Sequence, residues 1–372
     1  LMIVVAAGQS AGARPRAAPV VELVVSRQLT ADFVPIERER YKGRQLPALF
    51  NAMRARGDLF CEMLWKLRKY DSKVAERFIA KARLWDYRKE GRRGLGSLIA
   101  GCWNYYTMND VRPDRDFKLL SAMAPSTGGY DCYSVGLMQP YFMATALDCR
   151  SLTMLDIDWR IIVAHWQLLG LFHKRVLGAR AAVDANIGRL ALGWQRFVLR
   201  GADRERQAPD KRFKATMKVL CQRRARGSCK GALAAFQQRA GRVRTRLQFS
   251  ALHDGYTRNS RLSRRPKVLY LSNAVDPSNP TKRQYRALLQ RLAAVTRPGD
   301  RVYLIHHVGG QSTFGLYELT RRSKPRFRTR TLCMDAYTRI QRYKLIPYEA
   351  WMDERSVTRK PRPCAREIIR YR

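Results

Sequence analysis

The chain has 372 residues, enough to bury a sizeable core in one large domain or two smaller ones. Apolar content of 46% and charged content of 27% exclude wholesale disorder. Lys plus Arg number 72 against 30 acids, a net charge of +42 that attracts polyanions: nucleic acid, anionic lipid headgroups or acidic glycans. The basic residues are spread along the whole chain, as compositional bias alone also spreads them. No ribonucleoprotein-type aromatic motif or zinc-finger spacing accompanies them.

In chain order, "LMIVVAAGQSAGARPRAAP" is apolar from Leu1 to Ala7 and then reaches Ala11-Gly12-Ala13. That pattern resembles the end of a secretory signal peptide and favours export over a cytoplasmic location; the alternative is a short strand of the folded domain. Residues 1–35 are expected to be leader-like or irregular, and 36–124 a helical region. In the latter, "LPALFNAMRARGDLFCEMLWKLRKY" and "SKVAERFIAKARLWDYRKE" space apolar residues three and four apart. No stretch approaches the ~20 apolar residues of a membrane span, so no transmembrane segment is expected.

Residues 125–372 are expected to form an α/β domain. "YDCYSVGL" reads as a strand, "MQPYFMATALD" as a helix, "CRSLTMLDID" as a strand and "WRIIVAHWQLLGLF" as an apolar helix. Such alternation marks a parallel sheet with crossover connections. A basic helical insertion at 174–245 interrupts it and is the predicted contact for an anionic partner, nucleic acid or anionic lipid. Alternation resumes with strands "LQFSALHDG", "KVLYLSNA" and "DRVYLIHHV", with the helix "TKRQYRALLQRLAAV" between the last two. "STFGLYELTR" is expected to be a helix and "RFRTRTLCMDAY" a last strand.

The eight cysteines are even in number, as in exported disulfide proteins, but none forms a C-x-x-C pair or a metal-like cluster with His. Cys221 and Cys229 are placed to close a small loop. Most of the others sit in apolar surroundings that suit reduced core residues.

In an open parallel sheet, ligands bind outside the carboxyl ends of the strands. Those ends offer Gly136, then Asp156 and Asp158, Asp254, Ser272-Asn273, and His306-His307. A carboxylate at the second strand's end suits both hydroxyls of a ribose. The plainer roles are an arginine partner for Asp156, a helix N-cap for Asp158, and turn residues for Asp254 and Ser272-Asn273. His306 and His307 suit proton transfer or metal ligation, and the strand pleat lets at most one of them face a site.

On "YDCYSVG", "LTMLDID", "LQFSALHDG" and "KVLYLSNA", the chain resembles the class I S-adenosylmethionine-dependent methyltransferases over about 130–172 and 245–335. The resemblance implies a Rossmann-like, mostly parallel sheet with S-adenosylmethionine as cofactor. It places Gly136 beneath the methionine part, Asp156 at the ribose, Asp254 at the adenine, and Ser272-Asn273 near the transferred group. Beside these, Asp158 and Ser272 are further candidates for holding the cofactor, and Asn273 and His306, the latter as a proton shuttle, are the candidate catalytic residues. The family's G-x-G-x-G loop is absent, since Leu137, Met138 and Gln139 follow Gly136. The implied function is a transferase of unknown acceptor. The alternatives are an exported, catalytically inactive relative that binds an anionic partner, and an aminocarboxypropyl transferase acting on lipid.

Overall fold

The structure is a computed structural model that describes residues 22–25, 40–50, 113–156, 159–173, 226–250, 264–272, 282–308, 313–336 and 364. Among the described residues, nine strands form one mixed, mostly parallel sheet. In chain order they are β1 (Glu22–Val25), β2 (Arg40–Lys42), β3 (Tyr130–Ser134), β4 (Cys149–Asp156), β5 (Arg244–Phe249), β6 (Lys267–Ser272), β7 (Arg301–Val308), β8 (Thr313–Arg321) and β9 (Phe327–Ala336). Their spatial order is β2-β1-β5-β4-β3-β6-β7-β8-β9. From β1 to β7 neighbouring strands in that order run parallel, while β2, and then β8 and β9 in succession, pair antiparallel.

The chain lays β4 and β5 to one side of β3, then returns to lay β6 and β7 on the other. Every residue of β6, "KVLYLS", is buried, as expected of a central parallel strand covered on both faces. The pleat divides that strand between two apolar clusters. Val268 and Tyr270 belong to the larger one, with α1 (Pro113–Met123), α2 (Gln139–Ala146), α3 (Trp159–His173) and α4 (Arg226–Arg239). Leu269 and Leu271 face the other way, onto Tyr285, Leu288 and Leu292 of α5 (Lys282–Val295).

The larger cluster is organised around Tyr141 of α2. Its ring lies 5.4 Å from that of Phe172 on α3 and 5.1 Å from that of Phe236 on α4, tilted or edge-on as aromatic quadrupoles prefer. Pro140 suits the first turn of α2, where a missing N–H costs nothing. At the helix's other end the Arg239 guanidinium donates to the carbonyls of Ala144 and Leu147, satisfying groups with no partner inside the helix.

Three expectations change. Glu22–Val25, expected within an irregular arm, is a strand paired with β5, and Arg40–Lys42 is a strand inside the expected helical region. Glu22 ties them together: its carboxylate meets Arg246 at 3.1 Å and Lys42 at 3.6 Å. Thr313–Arg321, expected to be helical, is strand β8. Its side chains are buried alternately in both clusters, so no polar face reveals the strand period.

The cysteines differ as well. Cys132 of β3 is bonded to Cys149 of β4, and Cys333 of β9 to Cys364; among the described cysteines none is free. Strand pairing brings the first pair to 5.7 Å between Cα atoms, the span a disulfide requires. The leader-like residues 1–21, most of the helical region and of the basic insertion, and Cys221 lie outside the described residues.

Candidate functional site

After β3 the chain leaves the sheet at Gly136, whose φ of 79° lies in the left-handed region open to glycine. A Cβ there would sit 2.4 Å from Gln139 Oε1. That oxygen is already engaged, accepting the Met138 N–H at 3.1 Å. Gly136→Ala therefore forces both a strained φ and displacement of the Gln139 side chain. It is expected to cost about 1–3 kcal/mol, read as a lower denaturant midpoint. Adding Gln139→Ala should relieve the collision but leave the φ penalty.

Gly136 is held from both sides. Its N–H donates to Asp156 Oδ2 at 3.1 Å, across from the end of β3 to the end of β4. Its carbonyl accepts from His165 Nε2 at 3.0 Å. His165 lies on the apolar stripe of α3 with Ile161, Ile162, Leu168, Leu169 and Phe172, and is 1% exposed. Since a carbonyl only accepts, the proton sits on Nε2, and Nδ1 accepts the Tyr141 hydroxyl at 2.9 Å. Burial pushes the His165 pKa down to about 3, outweighing the opposing effect of the Gly136 hydrogen bond. The ring is thus a neutral strut.

The structure unites two residues picked from sequence, Gly136 and Asp156, and both stay half-buried at the sheet's C-terminal edge. The side chains of Leu137 and Met138 pack into the core, so neither screens the loop's outer side. At the end of β5 the Ser250 N–H donates to the Asp156 carbonyl at 3.1 Å, while its buried Oγ has no hydrogen-bond partner among the described residues. Ser272 ends β6 with a φ of 49°, the single non-glycine residue in that region among those described, and lies in register with His306 of β7. Backbone strain of this kind clusters at functional sites. Asp158, Asp254 and Asn273 lie outside the described residues, as do the side chains of His306 and His307.

No family model matches this chain, and no curated protein matches it in sequence. Among the described residues no group of three or more His, Cys, Asp or Glu is placed to hold a metal ion, and no helix is long and apolar enough to cross a membrane.

His165, Tyr141 and Ser250 were missed in sequence. The signal for His165 was present: an imidazole on an otherwise apolar helix stripe must find partners for both nitrogens inside the core. Its partner, a backbone carbonyl 29 residues away, leaves no mark in sequence.

Proposed function

We propose that this protein is an S-adenosylmethionine-dependent transferase of the methyltransferase-like class, on a Rossmann-like sheet, with its acceptor open. The observation that carries the reading is the hydrogen bond between Gly136 and Asp156. It joins the loop after β3 to the acid after β4, beside the point where the strand order reverses between β3 and β6. A ligand crevice is expected at such a reversal. Support at the level of fold is analogy, and the site residues must carry the chemistry.

Those residues suit the cofactor's polar parts. The Asp156 carboxylate accepts from the Gly136 N–H, and a carboxylate at this strand end is the kind of group that accepts from ribose hydroxyls. Ser250 Oγ supplies a buried hydroxyl that makes no hydrogen bond among the described residues. The backbone at Gly136, fixed by Asp156 and His165, is a preorganised surface for the amino-acid end. Ser272 and Asn273 at the end of β6 would orient the acceptor. The cofactor itself supplies an alkyl group activated on its sulfonium.

Calorimetric titration with S-adenosylmethionine and S-adenosylhomocysteine tests the reading. Micromolar binding of either supports it; a folded protein that binds neither sinks it.

A second reading rests on the cysteines. Pairing of Cys132 with Cys149 and of Cys333 with Cys364 favours an oxidising compartment, where disulfides persist. S-adenosylmethionine is made and kept in the cytoplasm, so this favours an exported, catalytically inactive protein that binds an anionic partner. Alkylation of the native protein before and after reduction separates the two. Four further thiols appearing only after reduction support export, while labelling of all four beforehand removes it.

A further inference from the structure

The edge of the sheet opposite the Gly136–Asp156 corner is a basic rim assembled by strand order. Arg264 and Arg265 precede β6, Arg301 opens β7, and the β8–β9 turn adds Arg322, Lys324 and Arg326; all six are exposed. From 321 to 330 the sequence "RRSKPRFRTR" contains no acid. Of the acids on this edge, Asp300 turns inward, 4.0 Å from the buried Lys267, while Asp131 pairs with the rim's own Arg265 at 3.7 Å and leaves the other five cations to the rim. A cavity of about 430 Å³ lined by Ser126, Gly128, Arg264, Arg265 and Pro266 opens on the same edge.

The turn is built rather than loose. Arg321 is 8% exposed, and its guanidinium donates to the carbonyls of Ala293, Arg322, Ser323 and Lys324. The Arg321 backbone N–H donates to Asp300 O at 3.1 Å, and Gly299 N–H donates to Arg321 O at 2.8 Å. These bonds pin the turn to α5 and to the loop before β7. Charge on an exposed edge strand is an ordinary guard against edge pairing. That purpose accounts for β9 alone, not for Arg264, Arg265 and Arg301 on interior strands, nor for a buried arginine spent on the turn. Cations held in place lose less freedom when a ligand arrives, so anchoring favours binding.

We infer that this rim, centred on the β8–β9 turn, binds the sugar–phosphate backbone of duplex nucleic acid. Strands β6 to β9 spread the rim over about 14 Å, at ~4.8 Å per strand, and a duplex offers one charge per ~1.7 Å of axis. Among the described residues Met123 is the one large apolar side chain exposed. Binding at a membrane surface calls for a broader apolar face, so the phosphate backbone is the better match.

The test is fluorescence anisotropy of a short random-sequence DNA duplex, titrated with the full chain over a range of salt. The rim variant is Arg322→Gln/Lys324→Gln/Arg326→Gln, which leaves Arg321 in place. The control, Arg115→Gln/Lys118→Gln/Arg286→Gln, removes three charges from α1 and from the first half of α5, before the Ala293 carbonyl that anchors the turn. Each lost phosphate contact should flatten the slope of log K against log salt by ~0.9, so the rim variant should lose about 2–3 units while the control keeps the wild-type slope. Equal slopes in the two variants overturn the inference, as does a rim variant that binds like wild type. Wild type that binds anionic phosphatidylserine vesicles and not the duplex overturns it too.

Discussion

Asp156→Ala is expected to weaken S-adenosylmethionine binding ten- to a hundredfold. Two losses combine. The ribose hydroxyls lose their acceptor, worth on the order of 1–3 kcal/mol, and each 1.4 kcal/mol is about tenfold in affinity. Gly136 also loses the acceptor for its N–H, which sits half-buried at a turn of fixed left-handed φ. Stability should therefore fall as well, by about 1 kcal/mol for one hydrogen bond. Asp156→Asn separates the losses, because the amide oxygen still accepts from Gly136 while the charge is gone. The asparagine variant should melt near wild type yet bind the cofactor weakly. Calorimetry and a denaturant curve on both variants decide it. An alanine variant that loses stability but binds with wild-type affinity would make Asp156 a loop clamp and nothing more.

Why was this corner half legible? The acids and glycine were visible because strand ends in a parallel sheet must present something, and polar residues interrupt an apolar run abruptly. The run "LTMLD" stops at Asp156, and β4 stops there too. The partner of Asp156 was not visible. One of many arginines was the obvious candidate in so basic a chain, and nothing in the sequence signalled that a backbone N–H twenty residues back also binds it. The resemblance placed Gly136 beneath the methionine part of a cofactor. The structure supplies a local cause instead, a positive φ together with the Gln139 side chain folded over the loop.

The sheet shows the same division. Strands β3, β4, β6 and β7 were legible because apolar runs of five to eight residues alternate with helical patterns. Strand β1 was not, since four residues carry little signal and its partner Phe249 lies more than two hundred positions from Val25. In β8, Leu316 and Leu319 at three-residue spacing imitate a helix face. In the sheet they belong to opposite faces. The disulfide between Cys132 and Cys149 follows once β3 and β4 are neighbours, a fact of topology that no cysteine spacing encodes.

The strut behind the loop makes the second large prediction, a loss of stability in mild acid. The folded protein holds His165 neutral down to about pH 3, whereas the unfolded chain protonates it near its ordinary value of 6.5. Between those limits the unfolded state binds one more proton. Stability therefore rises with pH through the window, is fully present above about pH 6.5, and falls as the medium is acidified. The slope reaches about 1.4 kcal/mol per pH unit for one group, so acidification from pH 6.5 to 4.5 should remove about 2 kcal/mol. His165→Gln tests the assignment. Its amide can still donate to the Gly136 carbonyl and accept from Tyr141, but it does not titrate. Denaturant curves across that range should show a shallower pH slope for the glutamine variant, with wild type the more stable near neutrality and the gap closing toward pH 4.5. Parallel slopes would mean that His165 is not the titrating group, and that the Gly136 carbonyl is not held by a buried neutral imidazole. If the strut is as described, the acid-weakened protein should loosen first where His165 and Tyr141 meet the loop. Amide exchange at Gly136 and Met138 should then accelerate before exchange in β6, whose ladder bonds lie between two strands on the far side of β3.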